Sequence, residues 1–420
     1  MEKFFNPRTV AVVGASSKKG KIGYEILKNV IKSGVEVYPV NPKSEEIMGR
    51  KCYPSVDEIE GSIDLAVIAV GAERCVEVME RCGRKGVKNA VIISGGFKEV
   101  GREDIERKLV ETAGKYGIRI IGPNCIGVFN GKNRFNTFFQ KNMQLPPSGS
   151  VAILTQSGTF GIALLETFAK EGIGVSKFVS YGNRSDVNEV ELAEYLEEDK
   201  DTEIIAMYVE EINREFFERK ASKPIIILKA GRGKLGQKAA TSHTGAMATN
   251  YEIFKGACRQ KNIIFAHNFE EFFGIIKIMS MQGLPGGNRM DMITNGAGPS
   301  VLACDFMEDK KNLKLGKLID LTGSATAHDY LKAIDESDAD IISLIFVFQD
   351  APLAETLNEL YEGLEKRKRF YVSISMGGQF VEEQKKRLSK MGIPAFEEPE
   401  IMVNALDKIV YYAEKAKKSM

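Results

Sequence analysis

Cysteine and histidine are scarce in this sequence of 420 residues. It has six cysteines, with no pair at CxxC spacing, and three histidines, so no cluster has the spacing of a zinc site. The formal net charge of +1 gives no global reason to expect nucleic acid or a membrane surface as partner. The longest apolar runs, such as 341–348, are far shorter than a membrane span, and the N-terminus lacks the pattern of a signal peptide. We therefore expect a cytoplasmic protein with reduced thiols, no bound metal, and neither nucleic acid nor a membrane as partner.

Apolar strand-like segments alternate with helix-like segments along most of the chain. The near-continuous apolar strands, such as 9–16 and 224–230, are typical of parallel sheets that are covered on both faces. Two Pro/Gly-rich stretches, 145–150 and 284–289, separate three such series. The pattern predicts an α/β protein of three units, and we place these at 1–130, 145–283 and 288–420.

A glycine loop, GASSKKGKIG (14–23), follows the first predicted strand and opens a helix. Backbone N–H groups and the helix dipole suit a phosphate there, and three lysines add positive charge. The glycine spacing is not that of a dinucleotide fingerprint, and Asn41 and Pro42 stand where an acidic residue would bind ribose. We therefore expect this loop to bind a ligand that contains a nucleotide, and we do not expect hydride transfer. The alternative is a βα turn that binds no ligand.

Two further loops carry small residues. GRGKLG (231–236) matches G-x-G-x-x-G literally, but no acidic residue follows at the right distance, so we interpret it as a chance match. In TQSGTFG (155–161), Ser157, Gly158 and Thr159 lie between a predicted strand and helix, which predicts an anion site at a helix N-terminus. An ordinary Ser/Thr helix cap is the alternative.

His243 stands in a loop of small residues, TSHTGAMA, preceded by basic residues. A lone histidine is more often structural than catalytic. Glu210, however, ends the preceding strand of the same predicted sheet, where a carboxylate can orient the imidazole. Together with the predicted anion site at Ser157–Thr159, this set indicates phosphoryl transfer through a phosphohistidine.

The chain resembles the α subunits of NDP-forming acyl-CoA synthetases, the group of ADP-forming acetyl-CoA synthetases related to succinyl-CoA synthetase. The resemblance runs nearly end to end. It rests on VAVVGAS (10–16), YPVNPK (38–43), VIAVGA (67–72), VIISGGFKE (91–99), IGPNCIGVFN (121–130), VAILTQSGTFG (151–161), YGN (181–183), KAATSHTGAMA (238–248), ITNGAGPS (293–300) and IDLTGSATAHDY (319–330). The set in this order is specific, although no single motif is.

The resemblance implies a Rossmann-like CoA-binding domain followed by two flavodoxin-like doubly wound domains. It implies that His243 is the phosphorylated histidine, that Glu210 stabilises it, and that Ser157, Gly158 and Thr159 receive the phosphoryl group. The residues implied to contact CoA are Gly14, Ser16, Lys21, Asn41, Pro42, Lys43, Ala69, Val70 and Asn124, the last beside the thioester.

The resemblance also implies the reaction acyl-CoA + ADP + phosphate ⇌ carboxylic acid + ATP + CoA. No segment reads as an ATP-grasp domain, so we expect a separate ATP-grasp β subunit, in an α2β2 assembly, that binds ADP or ATP with Mg²⁺. Two alternatives stay open. The first is a CoA-binding regulatory protein on the same scaffold without turnover, and the second is a nicotinamide-dependent oxidoreductase, which Asn41 disfavours.

Overall fold

A computed structural model describes residues 1–238 and 250–419 of the protein. His243, the predicted nucleophile, lies outside these residues. The six cysteines are free thiols. No helix within 1–238 or 250–419 combines the length and the apolar character that a bilayer span requires.

The chain divides into two compact units. The first consists of Met1–Lys170 and Gly174–Ala257, and the second of Glu171–Ile173 and Cys258–Met420. Parallel strands dominate the sheets of both units, which confirms the predicted α/β class.

The N-terminal part of the first unit alternates strands and helices. Its strands are β1 (Thr9–Val13), β2 (Glu36–Val40), β3 (Glu46–Ile47), β4 (Arg50–Lys51), β5 (Leu65–Ile68), β6 (Asn89–Ile92) and β7 (Arg119–Ile121). Its helices are α1 (Glu2–Phe5), α2 (Ile22–Lys32), α3 (Ala72–Lys85) and α4 (Glu103–Tyr116), with 3₁₀ turns at Val56–Glu58 and Lys98–Val100. Five strands form a parallel sheet in the order β2-β1-β5-β6-β7, and β3 and β4 form a short hairpin. The chain reverses its direction of winding between β1 and β5, so the loops after these strands border a crevice.

Glycines end the helices of this part. Gly86 and Gly117 follow α3 and α4 in the left-handed conformation, with φ of 85° and 63°. The N–H of each donates back to a carbonyl of the last helical turn, which satisfies groups that would otherwise lack partners. Gly34, two residues after the end of α2, also has a positive φ of 77°.

The first unit holds a second sheet. Its strands are β8 (Gly127–Asn130), β9 (Ser148–Thr155), β10 (Val175–Ser180), β11 (Ile204–Val209) and β12 (Ile225–Lys229). They lie in the order β12-β11-β9-β10-β8, all parallel except β8, which runs antiparallel to β10. The helices that follow are α5 (Gly158–Glu171), α6 (Glu189–Glu198) and α7 (Tyr251–Gln260), with a 3₁₀ turn at Arg214–Glu218.

The second unit has its own doubly wound sheet. The unit contains β13 (Ile264–Ala266), and its sheet consists of β14 (Arg289–Thr294), β15 (Lys314–Asp320), β16 (Ile341–Ile345), β17 (Tyr371–Ile374) and β18 (Ala395–Phe396). Its helices are α8 (Phe269–Gln282), α9 (Ala297–Glu308), α10 (Ala327–Asp335), α11 (Ala351–Ala354), α12 (Leu357–Glu365), α13 (Gln379–Lys390) and α14 (Pro399–Ser419). The parallel order β15-β14-β16-β17-β18 is the flavodoxin-like order, as predicted.

Candidate functional site

A cavity of about 760 Å³ opens at the carboxyl edge of the first sheet, where β1, β2 and β5 end. Parallel α/β sheets bind ligands at this edge, beside the point where the winding reverses. Eight of the nine residues predicted to bind CoA line the cavity, namely Gly14, Ser16, Lys21, Asn41, Pro42, Lys43, Ala69 and Val70. Asn124, the ninth, does not line it.

Backbone contacts hold the loops of this cavity close together. The N–H of Gly14 donates to the carbonyl of Val40 over 3.0 Å, and Gly14 has a φ of +90°. A Cβ atom at this position would overlap the carbonyl oxygen of Ala69, so the close approach requires glycine. Asn41 donates from Nδ2 to the carbonyl of Ala15 over 2.8 Å, which fixes the loop after β2 against the loop after β1.

Positive charge collects at this cavity. Lys21 precedes the first turn of α2, and Lys43 and Arg74 also line the space. Arg81 lines it as well, but its guanidinium pairs with Glu77 over 3.0 Å. The remaining three cations suit a ligand that carries several phosphates. Sequence reasoning missed Arg74, because it lies among other charged residues on the exposed face of α3.

A second, smaller cavity of about 30 Å³ lies within the first unit, close to the size of one water molecule. It brings together Asn124, which follows β7, and Glu210, which follows β11, both predicted as site residues. Its lining is Lys98, Asn124, Gln156, Gly182, Asn183, Arg184, Glu210 and Glu211.

Asn124 is held in an uncommon backbone conformation. Its φ is +57°, in the left-handed region, and its N–H donates to the carbonyl of Ser94 over 2.8 Å. Its side-chain Nδ2 donates to Oδ1 of Asn183 over 3.3 Å. The first sheet and the loop after β10 therefore both fix this amide.

Asn183 joins a set of charged residues. Its Nδ2 donates to Glu99 over 2.7 Å and to Glu106 over 2.9 Å, while Lys98 donates from Nζ to its carbonyl over 2.7 Å. Burial raises the pKa of Glu99, but hydrogen bonds from Asn183 and from the N–H groups of Gly96 and Phe97 outweigh burial, and the net shift lowers it. Glu99 is thus held as a carboxylate.

Gln156 connects the β9–α5 turn to the end of β11. Its Oε1 accepts hydrogen bonds from the backbone N–H groups of Glu210 and Glu211, the latter over 2.9 Å. Its own N–H donates to the carbonyl of Tyr208 over 3.2 Å. The side chain therefore fixes the backbone that carries Glu210, which is 9% exposed.

Ser157, Gly158 and Thr159 lie where α5 begins, at Gly158. Ser157 accepts the N–H of Phe160 on Oγ over 3.3 Å, so its hydroxyl acts as a helix cap. The first-turn N–H groups of α5 form a helix N-terminus suited to an anion. The three residues border the second cavity only through their neighbour Gln156, and their role in phosphate binding stays a prediction.

Two cations, one partly buried and one buried, contact Glu210 and Glu211. Arg184, with φ of +47°, pairs with Glu189 over 3.0 Å and with Glu211 over 2.7 Å. Lys229 donates from Nζ to the carbonyl of Glu210 over 3.1 Å. Burial lowers the pKa of Lys229, and Glu210 and Glu211 oppose that shift.

Sequence reasoning missed several residues of the second cavity, although the motifs quoted above contain four of them. Lys98 lies in VIISGGFKE and Gln156 in TQSGTFG, and YGN contains both Gly182 and Asn183. Polar residues in the loops after three strands were the available signal, since such loops lie at one edge of a parallel sheet. Within residues 1–238 and 250–419, no group of three or more His, Cys, Asp or Glu side chains is arranged to hold a metal ion.

Comparison with known families identifies two domains. A CoA binding domain matches residues 8–131, and a succinyl-CoA ligase like flavodoxin domain matches residues 148–279. The bounds 1–130, 145–283 and 288–420 stay our own proposal.

Full-length relatives are similar along nearly the whole chain. The α subunit of the ADP-forming acetate–CoA ligase I of Pyrococcus furiosus is 39% identical, over 99% of each chain. The α subunit of ligase II of the same organism is 37% identical, over 98% of each. The ADP-forming acetate–CoA ligase of Methanocaldococcus jannaschii is 38% identical over 97% of this chain, which spans 62% of that relative.

A solved structure is similar in fold and in sequence. The dinucleotide forming acetyl-coenzyme A synthetase 1 of Ca. Korarchaeum cryptofilum, in complex with phosphate and ADP, superposes with a TM-score of 0.90 at 34% identity. The match covers 100% of this chain and 98% of that one. With the full-length relatives, this shows that the chain belongs to the family of α subunits of ADP-forming acetate–CoA ligases.

Proposed function

We propose that this chain is the α subunit of an ADP-forming acyl-CoA synthetase, an acid–thiol ligase. It interconverts acyl-CoA, ADP and phosphate with a carboxylic acid, ATP and CoA, through an acyl phosphate and a phosphohistidine. The 37–39% identical relatives are named for acetate, so acetyl-CoA is the first substrate to test.

One observation carries the proposal. The cavity lined by the predicted CoA residues and the cavity lined by Asn124 and Glu210 lie in one compact unit. An acyl-CoA in the first cavity needs its thioester near an amide that can polarise the carbonyl, and Asn124 is such a group. The phosphoryl group then needs a cradle of N–H donors and an acid that orients the histidine, which α5 and Glu210 supply.

The first step forms the acyl phosphate. A phosphate oxygen attacks the thioester carbonyl carbon near Asn124, the C–S bond breaks, and the sulfur leaves as CoA, taking a proton from the phosphate. In this step the enzyme positions two anions, and N–H donors at the start of α5 offset their charge.

The second step moves the phosphoryl group. Neutral His243 attacks phosphorus, the bond from phosphorus to the acyl oxygen breaks, and a carboxylate leaves. Glu210 stabilises the positive imidazole that results, and Ser157, Gly158 and Thr159 hold the phosphoryl oxygens. The phosphohistidine then transfers its phosphoryl group to ADP, which forms ATP and returns His243 to its free state.

The nucleotide belongs to a partner chain. We assign ADP, ATP and Mg²⁺ to an ATP-grasp β subunit, with which this chain forms an α2β2 assembly. The M. jannaschii relative supports a second component, because more than a third of its length lies beyond the region that this chain matches. Six free thiols fit a reducing compartment, and we place the enzyme in the cytoplasm.

Reconstitution tests the proposal. The chain is mixed with its β subunit, ADP, Mg²⁺ and phosphate, and ATP formation is measured over a panel that begins with acetyl-CoA. ATP should form only when both chains and an acyl-CoA are present. CoA binding without ATP formation from any acyl-CoA would favour the regulatory alternative.

A matched variant tests the role of Glu210. Glu210→Gln keeps size and hydrogen bonding but removes the charge, so we expect slower ATP formation with unchanged CoA affinity. Equal rates for this variant and the wild type would remove Glu210 from the mechanism.

A further inference from the structure

The loop after β10 lies directly against the backbone of Asn124. Gly182 in this loop has a φ of +51°, and a Cβ atom at this position would overlap the carbonyl oxygens of Pro123 and Asn124. The N–H of Asn183 donates to the carbonyl of Pro123 over 2.9 Å. This close approach holds the side chain of Asn183, which is 9% exposed, beside that of Asn124.

Two carboxylates decide which end of the Asn183 amide faces Asn124. One end of the amide lies 2.7 Å from Glu99 and 2.9 Å from Glu106. Glu99 is held as a carboxylate, and a carboxylate can only accept hydrogen bonds. The end beside it is therefore Nδ2, because an amide oxygen in that place would face another acceptor with no proton between them. Oδ1 of Asn183 must then point toward Asn124.

The orientation of Asn183 determines that of Asn124. Oδ1 of Asn183 can only accept, so the Asn124 atom that lies 3.3 Å from it must be Nδ2. The opposite atom, Oδ1 of Asn124, lies toward Gly95, where a Cβ atom would come within 3.2 Å of it. Nδ2 carries two N–H groups, and Asn124 lines the second cavity, so Asn124 keeps one N–H for a ligand there.

We propose that Asn183 is a positioning residue for the step that breaks the thioester. With Glu99 and Glu106 it fixes the Asn124 amide so that the second N–H of Nδ2, and not Oδ1, meets the carbonyl oxygen of the acyl group. That oxygen gains negative charge as phosphate attacks the thioester carbon, so a donor held in place stabilises the transition state more than the bound substrate. In the reversed amide, Oδ1 would repel the same oxygen. This inference rests on the proposed function, which places the thioester at Asn124.

Two half-reactions distinguish a positioning role from a general structural one. Release of CoA from acetyl-CoA and phosphate needs Asn124, whereas phosphorylation of His243 by ATP and Mg²⁺ involves no thioester. Asn124 and Glu210 line the same cavity, so a variant that disorders the cavity slows both half-reactions. A variant that only misorients Asn124 slows the first half-reaction and leaves the second unchanged.

Asn183→Leu removes both hydrogen-bonding ends of the amide at nearly constant size. In the complex with the β subunit, we expect a single turnover of CoA release to slow by about 10- to 100-fold, since a misplaced donor costs less than the loss of a donor outright. Phosphorylation of His243 should keep the wild-type rate. Asn130→Leu is the matched control and should change neither half-reaction, because Asn130 is 1% exposed and its amide also donates twice, but it lines neither cavity. Melting curves show whether each variant folds.

Asn183→Asp provides the conservative rescue. Burial and the charges of Glu99 and Glu106 raise the pKa of a carboxyl introduced here, while Lys98, 3.4 Å from Glu106, offsets part of that rise. When protonated, the introduced carboxyl donates to a glutamate and accepts from Asn124, as the amide does. Its rate of CoA release relative to the wild type should therefore rise as the pH is lowered from about 8 to about 6. The relative rate of Asn183→Leu should not depend on pH.

Each outcome decides the proposal. Slower CoA release by Asn183→Leu with unchanged phosphorylation of His243, and recovery of Asn183→Asp at lower pH, support it. Wild-type CoA release by Asn183→Leu, an equal fall of both half-reactions, or an equal loss in Asn130→Leu overturns it. If Asn183→Leu does not fold, Asn183→Asp decides alone, and a relative rate that does not rise as the pH falls overturns the proposal. If the wild-type complex releases no CoA from any acyl-CoA with phosphate, the proposed function fails instead.

Discussion

Gln156 offers a direct test of how the site is held together. Its Oε1 accepts the N–H groups of Glu210 and Glu211, so one side chain positions the backbone of the predicted orienting acid. Gln156→Met keeps the length of the side chain but removes the acceptor. Both N–H groups then lose their partner next to a cavity of about 30 Å³.

The expected cost follows from those two hydrogen bonds. A buried donor left without a partner costs about 1–3 kcal/mol, and a water in the adjacent cavity recovers part of that, so we expect about 2 kcal/mol for the pair. Glu210 then no longer holds its position in the transition state. A loss of about 2 kcal/mol of transition-state stabilisation lowers the rate about 30-fold.

The assay compares kcat for ATP formation with CoA affinity. Gln156→Met should lower kcat about 30-fold and leave the dissociation constant of CoA unchanged, since Gln156 does not line the CoA cavity. The equivalent residue of the second unit provides the control. Asn295 accepts the N–H of Val347 over 2.8 Å. Asn295→Leu should therefore lower the melting temperature, but its kcat should equal that of the wild type at temperatures where the variant is folded.

Two results would refute this reasoning. One is a kcat of Gln156→Met within about three-fold of the wild-type value. Such a change corresponds to a loss of less than about 1 kcal/mol of transition-state stabilisation. The other is an equal fall of kcat in Gln156→Met and Asn295→Leu, which would indicate a general loss of stability.

Two further predictions concern the first cavity and the acid stability of the second. Gly14→Ala should weaken CoA binding at least about 10-fold in calorimetry, because the added Cβ overlaps the carbonyl oxygen of Ala69. Gly20→Ala is the control, since Gly20 has a similar φ of +81° but open space around it, and this variant should bind CoA normally. Equal affinity of both variants would contradict the close approach at Gly14. The pKa of Glu99 is lower in the folded state than in the unfolded state, so its stabilising contribution is present above about pH 4.3 and is lost as the pH falls further. The melting temperature of Glu99→Gln should therefore fall less between pH 6 and pH 3 than that of the wild type, and parallel curves would contradict this assignment.

Most strands were predictable from the sequence, because those of a doubly wound sheet are apolar on both faces. The runs at 9–16 and 224–230 correspond to β1 (Thr9–Val13) and β12 (Ile225–Lys229). β15 has no such run, since an edge strand with Lys317 and exposed leucines does not bury both faces. β8 (Gly127–Asn130) was also missed. A strand of four residues is too short to show a periodic pattern of apolar residues.

The candidate site was predictable in part. Glycine and asparagine at strand ends indicated the first cavity, because backbone geometry demands those residue types there. The second cavity depends on side chains that meet across long sequence separations, such as Asn183 with Glu99 and Gln156 with Glu210. No local pattern encodes such meetings, since Gln156 and Glu210 follow neighbouring strands of one sheet, and Asn183 and Glu99 follow strands of two different sheets.

Phosphorylation of His243 is the central step of the proposed mechanism, and it can be measured directly. The chain is incubated with its β subunit and with Mg²⁺ and ATP labelled in the γ-phosphate. We predict an acid-labile, base-stable label on this chain that is absent from His243→Ala and is discharged by a carboxylic acid with CoA. A label of equal strength on His243→Ala, or no label on the wild type in an active complex, would contradict it.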